Sequence, residues 1–502
     1  MNFKLVGYLL FGIAVITAPG LSQDNQWANE TKILEQHIPQ KIQLNASTIE
    51  SMLNMPLTLN DCVAIALKNN IQLQIDRLEY NRVYYTRKGA NQEFLPDISI
   101  SAQRNIKTDL DTLGNDGQET TADQVDIALS ETLPLGGSIS LSYRLDKQTD
   151  NISRRTDSPS KKWTISFTQP ILKGFGYSIA YGNVKLADLD LMIEEYNLQN
   201  SVLSTIFLVK QAYFIVLQQK KLVESTEAAI ERDKKLKVIS QAKADAKIAT
   251  RRDILSAEII LQQDIAELVS TQSDYEDALD NLKDAMGVGI ERKISLADAE
   301  LVFKPIPLME EEWLEIGLKN NIAIQLQKAS LEKNKFLTKL SGNSRLPDLS
   351  LVGTYSQLDD NNIVRDNQNR DLTGKLLFSY PLFNVNARAS HQEALIAARQ
   401  SERVIEDTRR ALILSVRSIV RSLRNGSERI NILVKNIEAA KEKVTFATTM
   451  FNLGRASNLD ITDAQKDLLD GEVKFTQELS KYYIEQARLE QVLGGQPIIK
   501  QE

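Results

Sequence analysis

The side chains that most often carry out chemistry in proteins are scarce in this chain. It has two histidines, His37 and His391, and a single cysteine, Cys62. Zinc sites of the Cys/His type need several such ligands, a disulfide needs two cysteines, and much general acid–base catalysis uses imidazole. We therefore expect no cofactor, no metal site and no enzyme activity. Cys62 lies at an apolar position and is predicted to be a buried core thiol.

The overall composition excludes two further classes of protein. Lys and Arg number 60 against 66 Asp and Glu, a net charge of −6, so nucleic-acid binding has no electrostatic support. A hydrophobic content of 42% in 502 residues argues against a disordered chain. Gly (22) and Pro (12) are few, which favours long uninterrupted helices over many short turns.

The first 22 residues have the three-part pattern of a secretory signal peptide. A basic start (1–4) precedes an uncharged apolar run (5–17) and then small residues (18–22). The run is too short to span a membrane as a helix, and a buried N-terminal helix is the alternative interpretation. No later stretch approaches the ~18 apolar residues that a transmembrane helix needs. We expect an exported chain that enters a membrane, if it does so, through β-strands.

The rest of the chain is predicted to be a tandem duplication. The segments around LKNN (67–70 and 318–321) and LP-D-(I/L)-S (95–99 and 346–350) recur 251 residues apart without a gap. Later motifs recur about 40 residues closer, so the first copy holds an insertion of that size. We divide the chain into a signal peptide 1–22, an N-terminal periplasmic segment 23–55, a first repeat 56–287, a linker 288–306, a second repeat 307–494 and a tail 495–502.

Each repeat is predicted to contain the same series of elements. A helical segment (59–94, 310–345) is followed by a β region (97–169, 348–380) and by two very long helices broken once (within 171–287 and 383–494). Apolar residues in the second repeat alternate spacings of four and three, which indicates a coiled-coil seam with a partner helix. The seam consists of Leu412, Val416, Ile419, Leu423, Gly426, Ile430, Leu433, Ile437, Ala440, Val444, Ala447 and Phe451.

The β regions alternate apolar and polar residues over segments of about ten residues, the length that crosses a bilayer in a tilted strand. Residues 138–147 (SISLSYRLDK) show the pattern most clearly. Long polar connections are expected at 105–123, 148–161 and 359–371, and a tight turn at 134–137. The insertion fits one added hairpin, 124–133 and 138–147, giving six strands per chain. A soluble sandwich with one solvated face, or an external flap formed by the added hairpin, are the alternatives.

These motifs resemble those of the TolC-type outer membrane efflux protein family. The resemblance rests on the duplicated segments, on the QP or YPLF junctions between strand and helix, and on FNLGRASNLDITDAQ at 451–465. It covers about 56–494. It implies a mainly α fold with β, in which three chains form one α-helical barrel of coiled-coil helices and one transmembrane β-barrel. It also implies a passive exit duct in the outer membrane, supplied by an inner-membrane transporter through a periplasmic adaptor.

The resemblance also implies a pore constriction at the periplasmic tip of the helices. Asp460 and Asp463 fall on the family's constriction aspartates, and Asp253 falls on its gate-linking aspartate. Rings of carboxylates at a threefold axis would repel one another and attract cations. The alternative interpretation is that Asp460 is a helix N-cap and Asp463 is a first-turn residue favoured by the helix dipole.

Other positions of the tip depart from the family pattern. The turn glycine falls on Gly454, but Lys247 stands at the corresponding place in the first repeat. Phe451 replaces the tyrosine of the family's gate link, and Ala456 replaces its arginine, although Arg455 is adjacent. These departures leave the closing network open.

Three functions are weighed on these grounds. The first is the outer membrane channel of a tripartite efflux or type I secretion system. The second is a structural or adhesive coiled-coil surface protein, which would not need alternating strands of bilayer length. The third is an enzyme, which the scarcity of histidine and the lack of an acid–base cluster oppose.

Overall fold

The computed structural model describes residues 50, 52–109, 118–150, 160–246, 250–297, 301–362, 365–453 and 455–496. The predicted signal peptide, most of the segment 23–55, most of the tail 495–502, Lys247 and Gly454 lie outside these residues. The contacts divide the chain into two units. One contains the described residues of Asn81–Glu194 and Lys328–Arg403, and the other contains those of Asn25–Tyr80, Glu195–Gln327 and Val404–Glu502.

The first unit contains a six-stranded antiparallel sheet in which each strand pairs with the next along the chain. The prediction of six strands is thereby confirmed. The added hairpin lies within the sheet, between its neighbours in sequence, and does not form a separate flap. The strands are β1 (Asp97–Asp109), β2 (Gln118–Thr132), β3 (Ser138–Asp150), β4 (Ser160–Pro170), β5 (Asp348–Asn362) and β6 (Arg365–Ser379).

The strands extend further than the sequence pattern predicted. The prediction of a long loop at 359–371 is wrong, because the ladder of β5 and β6 continues to the pair Asn362 and Arg365. The predicted connections at 105–123 and 148–161 likewise overlap the ends of described strands, at Asp109, Gln118, Asp150 and Ser160. Outside an apolar environment, strands with polar side chains form the hydrogen bonds between strands as well as strands with apolar side chains do. The alternation of apolar and polar residues therefore underestimates the length of a strand. The tight turn is confirmed, with Leu133 N–H donating to Gly137 O at 2.7 Å.

The pairing register places most of the apolar side chains of the six strands on one face of the sheet. A continuous row crosses the sheet in register, formed by Ile98, Leu129, Leu141, Ile165, Tyr355 and Leu372. The residues next to them point to the opposite face and are mainly hydroxyl-bearing, such as Ser140, Ser142, Ser166 and Thr354. One face of the sheet is therefore apolar and the other polar.

Helices make up most of the remainder. They are α1 (Leu59–Asn69), α2 (Ile71–Ala90), a 3₁₀ turn (Asn91–Phe94), α3 (Tyr177–Ala180), α4 (Gly182–Asp245), α5 (Arg251–Met286), α6 (Glu310–Asn320), α7 (Ile322–Asn343), α8 (Val385–Asn452) and α9 (Asn458–Val492). The long helices and their single breaks were predicted. The mainly helical fold with a β-sheet is confirmed.

The helical segments predicted at 59–94 and 310–345 each consist of two helices, because an asparagine ends the first helix in each predicted repeat. Asn70 has an extended ψ of 123°, and its Oδ1 accepts a hydrogen bond from Leu73 N–H at 3.0 Å, so it caps the next helix. Asn321 does the same with Ile324 N–H at 3.2 Å. Their side-chain amides donate to the carbonyls of Ala285 and Val492 at 3.0 and 2.9 Å. Each asparagine therefore joins its two short helices to the end of a long one.

The predicted coiled-coil seam lies in the core of the second unit. Val416, Leu423 and Ile430 are fully buried, and they belong to one cluster with Leu479 and Leu489 of α9. Small seam residues allow close approach, since a Cβ added at Gly426 would touch Tyr482 Cδ2 at 3.4 Å. The partner helix that the seam required is therefore α9.

Two further expectations concern apolar residues. Cys62 is fully buried in α1, and burial raises the pKa of its thiol to about 12, so it is a core thiol as predicted.

The expectation that no stretch after the signal is long and apolar enough to cross a membrane is wrong. Helix α4 contains such a stretch by length and composition, although half of it is buried within the chain, as in the core helix of a soluble protein.

Candidate functional site

The ends of the two long helical hairpins pack against each other in the second unit. Helix α4 ends at Asp245 and α5 begins at Arg251, whereas α8 ends at Asn452 and α9 begins at Asn458. Small and apolar residues from all four helices form one buried group, which we call the tip cluster. Its members are Leu236, Ala257, Ala447, Phe451, Ile461 and Ala464. The tip cluster fixes the positions of the predicted constriction residues.

Both returning helices begin with the same capping arrangement. Asp253 Oδ2 accepts hydrogen bonds from Thr250 N–H (2.9 Å) and Oγ1–H (2.8 Å). Asp460 Oδ2 accepts the equivalent bonds from Ser457 at 2.7 and 2.8 Å. The main-chain bond, followed by the hydroxyl bond, lowers the pKa of each carboxyl. The interpretation of Asp460 as the N-cap itself is wrong, because Ser457 is the N-cap and Asp460 closes the capping box.

Asn458 joins the two hairpin ends by hydrogen bonds. It is 2% exposed, and its Nδ2 donates to Ser240 Oγ at 2.7 Å and to the main-chain oxygen of Asp253 at 2.8 Å. Ser240 in turn donates to Leu236 O at 2.7 Å. Sequence reasoning did not predict these contacts of Asn458, because the spacing along the chain does not show that residue 458 faces residues 240 and 253.

Lys243 makes a second connection between the hairpin ends. Its Nζ lies 3.4 Å from the centroid of the Phe451 ring and donates to the main-chain oxygen of Phe451. The negative end of the helix dipole stabilises a cation at the C-terminus of α8, and the face of the aromatic ring attracts the same cation. Burial lowers the pKa of Lys243. Sequence reasoning missed this contact, because Lys243 and Phe451 lie far apart along the chain.

The remaining predicted residues are placed as follows. Asp460 and Asp463 are both exposed and lie three residues apart on α9, so they are neighbours on one side of the helix. Arg455 is exposed, and its N–H donates to Met450 O at 2.8 Å. Within the described part of one chain, no ion pair joins Arg455 to Asp253. The aspartates are therefore presented to solvent by a rigid helix start.

A buried carboxyl lies about one turn from Leu236 of the tip cluster, at Asp233 on α4. Its side chain is 3% exposed and faces Asp264 of α5. Burial, and then the carboxylate of Asp264, raise the pKa of Asp233 to about 7, against a smaller opposing effect of Arg232. Asp233 therefore carries a proton in the folded chain over a pH range in which an unfolded chain has lost it.

This raised pKa predicts that the folded chain becomes less stable as the pH rises. The stabilisation from protonated Asp233 is complete below about pH 4 and is lost as the pH rises through about 7. The ceiling of the effect is about 4 kcal/mol, at about 1.4 kcal/mol per pKa unit. Thermal unfolding in detergent at pH 5 and pH 8 should show the loss in the parent. Asp233→Asn should reduce the difference, whereas Asp245→Asn, at the exposed end of the same helix, should leave it unchanged.

The described residues contain no group of three or more His, Cys, Asp or Glu side chains placed to hold a metal ion. The acidic residues of the tip stand singly or pair with cations, as Asp467 does with Lys443 at 2.5 Å.

The comparisons with known proteins identify the class of fold. The outer-membrane channel OprN is 16% identical, with 91% of this chain and 94% of that chain covered at a TM-score of 0.68. The CmeC outer membrane channel of Campylobacter jejuni is 15% identical, with 87% and 85% covered at 0.66. The open state of the MtrE channel of Neisseria gonorrhoeae is 15% identical, with 87% and 89% covered at 0.65. The chain thus has the fold of the TolC-like outer membrane channels.

The family model points to the same class. Residues 313–495 match the model described as "Outer membrane efflux protein". A search of curated proteins finds no match. The protein is accordingly an outer membrane efflux channel, a transporter and not an enzyme. The alternative of an adhesive coiled-coil surface protein is not supported.

Proposed function

We propose that three copies of this chain form one exit duct, which passively conducts substrates across the periplasm and the outer membrane. In this proposal the sheets close into one barrel and the long helices form the periplasmic part. An inner-membrane transporter delivers the substrate through a periplasmic adaptor protein, in a tripartite efflux or type I secretion system. The proposed division into repeats 56–287 and 307–494 supplies each copy with two helical hairpins.

The observation that carries the proposal is the pairing of the sheet. Among the described strands, β1 pairs only with β2 and β6 pairs only with β5, so both edges are open. An open edge cannot remain in hydrocarbon, because its N–H and C=O groups would lack partners. Six strands with one apolar face are too few for a channel, whereas three copies supply about 18, within the range of bacterial barrels.

A charge placed on the apolar face tests this arrangement. Leu141→Arg puts a cation in the middle of the apolar row and should cost about 2–4 kcal/mol of assembly in a bilayer. Ser142→Arg, one residue on, points to the polar face and should be tolerated. Trimer yield from detergent and single-channel conductance in planar bilayers measure both. Recovery of the parent as a water-soluble monomer without conductance would refute the proposal.

At the tip, we propose that Asp460 and Asp463 form the constriction of the closed duct. Support comes from their exposure on one face of α9 and from the rigid capping of that helix by Ser457. Phe451, in the last turn of α8, and Arg455, between α8 and α9, are proposed to act in the gate with them, as is Gly454, which lies outside the described residues. Asp253 is proposed to act in the gate through its main-chain oxygen, which accepts from Asn458, as well as through its carboxylate.

A further inference from the structure

The apolar face of the sheet becomes charged towards one end of the strands. This is the end opposite the junctions between strands and helices. Next to the apolar row is a second row, in which Tyr143 of β3 pairs with Trp163 of β4. Their rings lie 4.2 Å apart between centroids. Aromatic side chains with polar tips favour the boundary between the hydrocarbon and the headgroups of a membrane. This aromatic pair therefore lies near the end of the apolar face, which continues for one more row with Val125 and Leu145.

In the row of this pair and in the two rows beyond it, four strands each present a cation on the same face. The register places Lys161 beside Leu145, one row past the aromatic pair, and Lys147 one row further. Arg104 lies in the row of Lys147, and Arg370 lies in the row of Trp163, where the apolar band of β5 and β6 ends earlier. We call Arg104, Lys147, Lys161 and Arg370 the basic belt.

Acidic residues offset the basic belt only in part. On this face Asp123 and Asp359 lie in the rows of the belt, and Glu119 lies two rows further out. Asp123 pairs with Arg104 through Nε–Oδ1 (2.5 Å) and Nη2–Oδ2 (2.8 Å), but the Arg104 side chain remains 66% exposed. A guanidinium has five N–H donors, so this pair leaves donors for another ligand. The opposite end of the face carries Glu131 in register with Ile139.

The geometry of the two lysines suits a phosphate group. Lys147 and Lys161 are diagonal neighbours on adjacent strands, about 7–8 Å apart. Both side chains are exposed. Their aliphatic stems can lie along the apolar band while the ammonium groups reach the headgroup level. Two such cations can contact one phosphate from both sides, with acyl chains of the same molecule on the apolar row below.

We propose that the basic belt binds the phosphate groups of a phosphorylated glycolipid in the outer leaflet of the outer membrane. The inference rests on the proposed membrane assembly, because it requires the apolar face to contact lipid. A lipid is favoured over a free anion since the belt is continuous with the apolar face. The ligand thus gains from acyl burial and from phosphate contact together.

The test uses purified full-length protein in detergent and diphosphoryl lipid A as the probe, with bound lipid counted by native mass spectrometry. Lys147→Gln with Lys161→Gln should weaken binding about 25-fold, since each basic residue at an anionic surface contributes roughly fivefold. The matched control is Lys162→Gln with Lys375→Gln, which removes two lysines from the polar face. The control should bind lipid A within about twofold of the parent.

Three results would overturn the inference. They are equal weakening in both double variants, equally tight binding of dephosphorylated lipid A to the parent, and displacement of lipid A by millimolar inorganic phosphate. Conductance of the same preparations separates this inference from the proposed function. If the parent conducts ions but binds lipid A equally well with and without its phosphate groups, only the inference about the basic belt is contradicted. If the parent never conducts, the proposed duct is contradicted.

Discussion

Gly287→Ala is expected to destabilise the helical unit by about 3 kcal/mol or more, because it is unfavourable for two separate reasons. Gly287 ends α5 with a φ of 66°, in the left-handed region that costs an L-residue about 1–2 kcal/mol. An added Cβ would also lie 2.3 Å from Asn69 O and 2.8 Å from Asn70 Cα. Both are main-chain atoms at the break between α1 and α2, where Asn70 caps the second helix. They cannot move aside as the end of a flexible side chain could.

The duplication supplies a second variant, and the chain supplies a control. Gly494 has a φ of 79°, and a Cβ there would lie 2.6 Å from Asn320 O, so Gly494→Ala should show the same effect in the second copy. Gly289→Ala, two residues after Gly287, meets no atom within 4 Å and should be nearly neutral. Far-UV circular dichroism during thermal unfolding in detergent measures all three. Equal unfolding temperatures for Gly287→Ala and Gly289→Ala would contradict the account.

Asp460→Asn combined with Asp463→Asn is expected to abolish block of the duct by a trivalent cation added on the periplasmic side. In a threefold assembly the two positions would present up to six carboxylates to a narrow lumen, and multivalent cations bind such rings strongly. Asparagine keeps an oxygen that can accept from Ser457, so helix α9 stays capped while the charge is removed. Single-channel recording in a planar bilayer gives the blocking concentration directly.

Two further variants separate the constriction from other effects. Asp470→Asn removes an exposed carboxylate further along α9 and should leave the block unchanged. Asp253→Ala should raise the resting conductance only modestly, because Asn458 still reaches the main-chain oxygen of residue 253. Trimers should form in every case. If the double asparagine variant is blocked as tightly as the parent, Asp460 and Asp463 do not line the constriction and their role is confined to the start of α9.

Much of the architecture is local enough to be predicted from the chain. Strands follow from apolar residues at every second position, and the α8 seam follows from spacings of four and three, because these periods are set by backbone geometry. The six-strand count followed from the insertion in the first copy, since a hairpin adds two strands without reversing the later ones. The class of protein could be predicted for the same reason, as each motif is short and continuous.

Other features depend on which residues meet across long distances in the sequence. The break at Asn70 was not predicted because LKNNIQLQ reads as one helix until Ala285 is available to accept from the asparagine. The strand ends were missed because cross-strand pairing, and not alternation, extends β5 and β6 to Asn362 and Arg365.

The hairpin tip and the basic belt were decided by tertiary structure alone. Lys243 and Phe451 are 208 residues apart, and Asn458 and Ser240 are 218 apart, so no periodicity relates them. The basic belt likewise consists of cations from four strands. Within the sequence of its own strand, each of them looks like an ordinary polar residue. Sequence by itself determined the elements and their faces, because these depend on neighbours along the chain. Only the folded chain decided which faces and ends come together, because that depends on packing and strand register.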